Sequence, residues 1–143
     1  MKRRRLLMLV LSVVVLSLIG IGVRREWKEQ AKEKREVGYQ SALRSYSQVL
    51  KPGMARKEVE DYLRTNNSQF SQMCCVDTRE LRNGVWDDLT KVGEEDAPWY
   101  CNHHSVYIAF QFAGQKRDDL TWRADPSDIL KNIKVYHQLE TCL

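Results

Sequence analysis

Eighteen consecutive uncharged residues, Leu6 to Val23, stand between Lys2-Arg3-Arg4-Arg5 and Arg24-Arg25. As a helix rising 1.5 Å per residue the run is about 27 Å long, close to the roughly 30 Å hydrocarbon thickness of a bilayer. It is longer than the apolar core of a cleaved leader. The one small-x-small site, Gly20-Ile21-Gly22, is followed by bulky and charged Val23-Arg24-Arg25. Residues 1–23 are therefore expected to be an uncleaved signal anchor, with the lipid bilayer as partner through residues 6–23. The compact basic cluster beside the α-amine orients it. The expectation is a single-pass membrane protein, N-terminus cytoplasmic and residues 24–143 on the exported side.

The net charge of +4 belongs to that flank. Four of the 23 basic residues precede the run and no acidic residue does, so the rest carries nineteen of each sign. A chain with no net positive charge beyond its flank lacks the basic stripe that phosphate binding needs, and no nucleic-acid partner is expected. Residues 24–38 are charged helix formers with few apolar side chains and read as a solvated helical stalk ending at Gly38. Residues 39–143 are enough for one small domain.

In that domain Tyr39, Leu43, Tyr46 and Leu50 recur at helical spacing and make one apolar face. Lys51-Pro52-Gly53 stops this helix. A second helix follows over about 55–64, with Val59, Tyr62 and Leu63 as its inward stripe, ended by Thr65-Asn66-Asn67-Ser68. Residues 69–76 read as a strand and residues 77–100 as irregular. Residues 105–112 alternate, with Val106, Ile108, Phe110 and Phe112 on one face. Residues 129–139 alternate likewise through Ile133, Val135, His137 and Leu139. The last two strands are expected to pair as an antiparallel hairpin. The expected fold class is α+β: a transmembrane helix, a charged stalk, then two helices packed on a three-stranded antiparallel sheet.

The segment Leu50-Lys51-Pro52-Gly53-Met54-Ala55-Arg56-Lys57-Glu58-Val59-Glu60-Asp61-Tyr62-Leu63 resembles the helix junction of the SmpA/OmlA (BamE-like) domains. There a Gly-Met-Thr turn, then Val and Leu four residues apart, joins two helices packed on a three-stranded sheet. The resemblance spans about residues 39–140 and implies that fold and a cell-envelope setting. Ala55 stands where that family has Thr or Ser, its Leu-Gly-x-Pro exit is missing, and no lipid-acceptor cysteine is present.

All four cysteines, Cys74, Cys75, Cys101 and Cys142, lie beyond the apolar run and are disulfide candidates. A Cys74–Cys75 bond would close a strained ring and leave Cys101 with Cys142. The expected alternative sends each adjacent cysteine to a different distant partner. Cys101, His103 and His137 are the residues a metal could use, but Cys101-x-His103 is not a usual ligand spacing. Neither a metal nor another cofactor is expected. The acidic residues Asp87, Asp88, Glu94, Glu95 and Asp96 read as loop surface, and Trp99 as core. Trp86 and Trp122 are the candidate partner anchors. The function expected is that of a membrane-anchored, non-enzymatic envelope protein. Its disulfide-stapled domain would bind another envelope protein or its own copies. The competing reading is a Cys/His-dependent redox or metal-binding envelope protein, with Cys101 as a thiol activated by a histidine.

Overall fold

The computed structural model describes residues 2–74, 85–114 and 124–143, with side chains at Ser17 and from Gly20 onward. The described residues form two helices and a four-stranded antiparallel sheet: α1 Lys2–Val49, α2 Arg56–Thr65, β1 Ser71–Met73, β2 Asp87–Glu95, β3 Cys101–Ala113 and β4 Ile129–Cys142. The strands lie in chain order, β1-β2-β3-β4. This corrects the expected three-stranded sheet, because β2 occupies part of the stretch read as irregular. Two aspartates open β2 and two glutamates close it, and such residues are depleted in strands. Pairing on both edges overrides that local preference: Leu89 lies opposite Ser71 of β1 and Ala109 of β3.

The helical segments are also corrected. The apolar run, the charged stretch and the first amphipathic face are not three elements but one continuous 48-residue helix. Gly38 lies within it and does not break it. A single helical glycine costs about 1 kcal/mol relative to alanine. The apolar face that starts at Tyr39 exceeds that by packing on the sheet. The expected single-pass span and its orientation are overturned as well: among the described residues no helix is long and apolar enough to cross a membrane. Beyond Gly20 the helix offers Ile21, Gly22 and Val23 before ten charged side chains crowd Arg24 to Glu36.

The chain divides into two compact units, Met1–Val37 and Gly38–Leu143. In the first, Arg24 to Val37 is solvent-facing almost throughout, with Trp27 70 % exposed. In the second, the core is formed by Leu50, Val59, Leu63, Val85, Ile108, Phe110, Phe112 and Leu130, flanked by Ala42, Leu43 and Tyr46. The even residues of β3, Val106 to Phe112, all face the helices and are buried. Across the β3–β4 register Val106 meets His137, Ile108 meets Val135 and Phe110 meets Ile133. The period-2 alternation of both strands therefore places one apolar face against α1 and α2. Tyr46 stands edge-on to Phe110 at 5.3 Å, and its hydroxyl shares a 3.0 Å hydrogen bond with Ser68 Oγ. Tyr39 is buried across Gly93. A Cβ at that glycine would lie 2.6 Å from the Tyr39 ring, so only glycine lets the helix approach this close.

The two ends of α2 are fixed differently. Ala55 offers no side-chain cap, and Glu58 Oε2 takes the Ala55 N–H at 2.8 Å. The free N–H groups of Arg56 and Lys57 donate to the carbonyls of Asp128 and Pro126, at 2.7 and 3.1 Å. A turn 70 residues away thus does the work of a cap. At the other end Asn67 adopts φ 53°, and the N–H groups of Asn67 and Ser68 donate to Arg64 and Leu63. That is a Schellman closure with asparagine in the left-handed position.

Candidate functional site

Arg56 opens α2 and is 1 % exposed. A cation there meets the positive end of the helix dipole, which disfavours it. Two buried carboxylates compensate. Nη1 donates to Asp88 Oδ1 at 2.5 Å, and Nε lies 3.4 Å from Asp128 Oδ2. Nη2 donates to the Trp86 carbonyl, and the guanidinium lies over the Phe112 ring, 3.9 Å from its centroid. Asp88 and Asp128 are both fully buried. Asp128 also accepts the Asp125 N–H at 2.9 Å, and Asp125 Oδ1 takes the Ser127 N–H at 2.9 Å. The Asp125-Pro126-Ser127-Asp128 turn is therefore folded around the carboxylate it delivers to Arg56. Next to it, Asp87 Oδ1 accepts the Phe112 N–H at 3.2 Å.

Asp87 and Asp88 thus correct the reading of these residues as loop surface: both are buried on β2. No sequence periodicity marks them, since their partners lie far along the chain, Arg56 for Asp88 and the Phe112 N–H for Asp87. The readable signal was Arg56 itself, a cation at the wrong end of a helix.

Burial pushes the Asp88 carboxyl up to about 7, although Arg56 beside it pulls the other way. An unfolded aspartate titrates near ~3.9. Between those values the folded chain keeps a proton that the unfolded chain has released. The stabilisation is complete below about pH 4 and is lost as pH rises through about 7. Asp88→Asn keeps the neutral shape and is expected to flatten this decline. Urea midpoints of both proteins from pH 4.5 to 8 test it, and coincident slopes would remove Asp88 as the cause.

At the far end of β3, Cys101 is bonded to Cys142, directly opposite in register. Neither can then reach Cys74 or Cys75, so the expected distant pairing is overturned. Aligned strands bring the two thiols together without help from elsewhere. Cys74 is also disulfide-bonded, and no described cysteine is free. Cys75 lies outside the described residues. Beside the clip, Cys101 N donates to the Pro98 carbonyl and Leu143 N to the Tyr100 carbonyl, both at 2.9 Å. Trp99 and Tyr100 cross edge-on at 5.8 Å on this braced turn.

Trp99 is 91 % exposed, against the expectation that it packs in the core. Tyr100 and Leu143 are exposed next to it in the chain and across the hydrogen bond. Trp86 is half-buried with a buried indole nitrogen, and its carbonyl holds Arg56. Trp122, the other expected anchor, lies outside the described residues.

The histidines separate by face. His103 is exposed on the face away from the helices, opposite Glu140. His104 and His137 share the helix-facing side of the sheet. Cys101 is thus committed to a disulfide, and His103 and His137 are on opposite faces, so the structure does not assemble the Cys101–His103–His137 set. Among the described residues no group of three or more His, Cys, Asp or Glu side chains is placed to hold a metal ion. No protein-family model, no curated protein and no solved structure matches the chain.

Proposed function

We propose that the unit from Gly38 onward is a non-catalytic protein-interaction domain that docks through the Trp99–Tyr100–Leu143 ledge at its disulfide-clipped end. The observation that carries this reading is Trp99, exposed over nine-tenths of its surface on a turn braced by a disulfide and two backbone hydrogen bonds. A large aromatic side chain on a braced backbone turn presents much apolar area for a partner to bury. The Arg56 cluster, by contrast, is sealed within the fold, which suits a role in holding α2 against the sheet. The Pro52-Gly53-Met54 junction, with Val59 and Leu63 turned inward, supports the resemblance to SmpA/OmlA domains as far as a helical hairpin on a sheet.

Trp99→Ala is expected to leave stability within about 0.5 kcal/mol, as for a surface residue whose ring contact is with its exposed chain neighbour Tyr100. A photo-crosslinking residue at position 99 of the full chain, expressed in its native cells, is expected to give one discrete adduct. The same residue at exposed Gln48 should not give it. An adduct of twice the chain mass would identify a second copy as the partner. Equal adduct patterns at the two positions, or none at 99, would overturn the assignment.

A further inference from the structure

We infer that His104 and His137 form a site for one borderline-soft divalent cation, of the class of Zn²⁺, Ni²⁺ or Cu²⁺. The two residues sit on paired strands, His137 opposite Val106 and His104 two residues before it. Their rings are 5.3 Å apart at 55°, and His104 Nε2 lies 3.2 Å from His137 Nδ1. Two imidazole nitrogens bound to one tetrahedral ion at about 2.0–2.1 Å stand about 3.3–3.4 Å apart. The pair is therefore already set at the separation a shared ion requires.

Without an ion the contact is a hydrogen bond, with one proton between the nitrogens. Binding needs both lone pairs. The proton moves to the far nitrogen of its own ring, and two neutral imidazoles coordinate with no net proton loss. Tyr39 braces the site from the helix, edge-on to the His137 ring at 6.3 Å, while its own hydroxyl donates to the Glu94 carbonyl at 3.3 Å. Glu95 is the register partner of His104 on β2 and shares its sheet face. Both rings reach solvent, so water completes the coordination. Imidazole ligands favour zinc, nickel and copper over calcium and magnesium.

The test is calorimetric titration of the full chain with Zn²⁺ and with Ni²⁺ at pH 7.5, without reductant, with Ca²⁺ as the hard-cation control. One ion per chain is expected, with loss of binding in both His104→Ala and His137→Ala. His103→Ala, one residue away on the opposite face, is expected to bind as the parent does. Circular dichroism of each variant confirms that the fold is retained. Absence of binding in the parent chain, or binding that survives either substitution at 104 or 137, would overturn the site. A ratio of one ion per two chains would show a bridge between molecules and overturn the intrachain geometry.

Discussion

Arg56→Ala is expected to destabilise the domain by about 3–5 kcal/mol, the range for breaking a buried ion pair from one side. The loss has three sources. Asp88 and Asp128, both fully buried, are left without their cation. The Trp86 carbonyl loses its donor, and the Phe112 ring loses the guanidinium packed 3.9 Å above its centre. Arg56→Lys keeps the charge but not the fork that reaches Asp88 and Trp86 together, and should fall between. Arg56→Met with Asp88→Asn removes a charge from each side and should recover part of the loss, because an unpaired buried carboxylate costs more than an uncharged pair. The deficit of Arg56→Ala should also grow from pH 5 to pH 8. Arg56 is the group that lowers the Asp88 pKa, so its removal penalises the ionised form most. Urea unfolding of the four proteins at both pH values measures this. A deficit under 1 kcal/mol would show that the cluster is dispensable.

Helical and strand periodicity made much of the helix and strand pattern from Tyr39 onward legible. Tyr39, Leu43 and Tyr46 marked the packed end of α1, and Leu50 the residue just past it. Val59 and Leu63 marked α2, and the alternation from Val106 to Phe112 marked β3. Each of these segments buries one face, and burial is what writes a period into a sequence. β2 was not legible, because its helix-facing positions include Asp88, Thr90 and Gly93 instead of a run of apolar residues. Asp88 is tolerated there through Arg56, and Gly93 is there to admit the Tyr39 ring. Both reasons lie more than 30 residues away. The same holds for the candidate sites. Trp99 differs from a core tryptophan only in how the turn before β3 presents it. His104 and His137 become neighbours only once β3 and β4 are in register. The membrane-span expectation is corrected on a different ground: among the described residues no helix is long and apolar enough to cross a bilayer.

Removing the Cys101–Cys142 bond, with serine at both positions, is expected to cost about 4 kcal/mol, the chain-entropy value for a loop of 41 residues. The bond crosses the last register pair of β3 and β4, beyond the packed core. Its main effect therefore falls on the unfolded chain, which it holds in a loop, and on fraying of the strand ends. Most of the core contacts, those of Ile108, Phe110, Phe112 and Leu130 among them, should survive the substitution. The two effects separate by measurement. Thermal unfolding of the serine variant reports the global loss, and reductant, which also opens the Cys74 bond, should lower the parent midpoint at least as far. Amide exchange reports the local loss: protection of Cys101 to His103 and of Glu140 to Leu143 should collapse, while that of Ile108 to Phe112 should fall only with global stability. The interaction reading depends on the same local loss. Once the clip is gone, the turn that holds Trp99 and Tyr100 loses one of its braces, and adduct formation from position 99 should weaken even where the domain remains folded. Unchanged adduct yield in a folded serine variant would mean that the ledge needs exposure alone and not the rigidity that the disulfide provides.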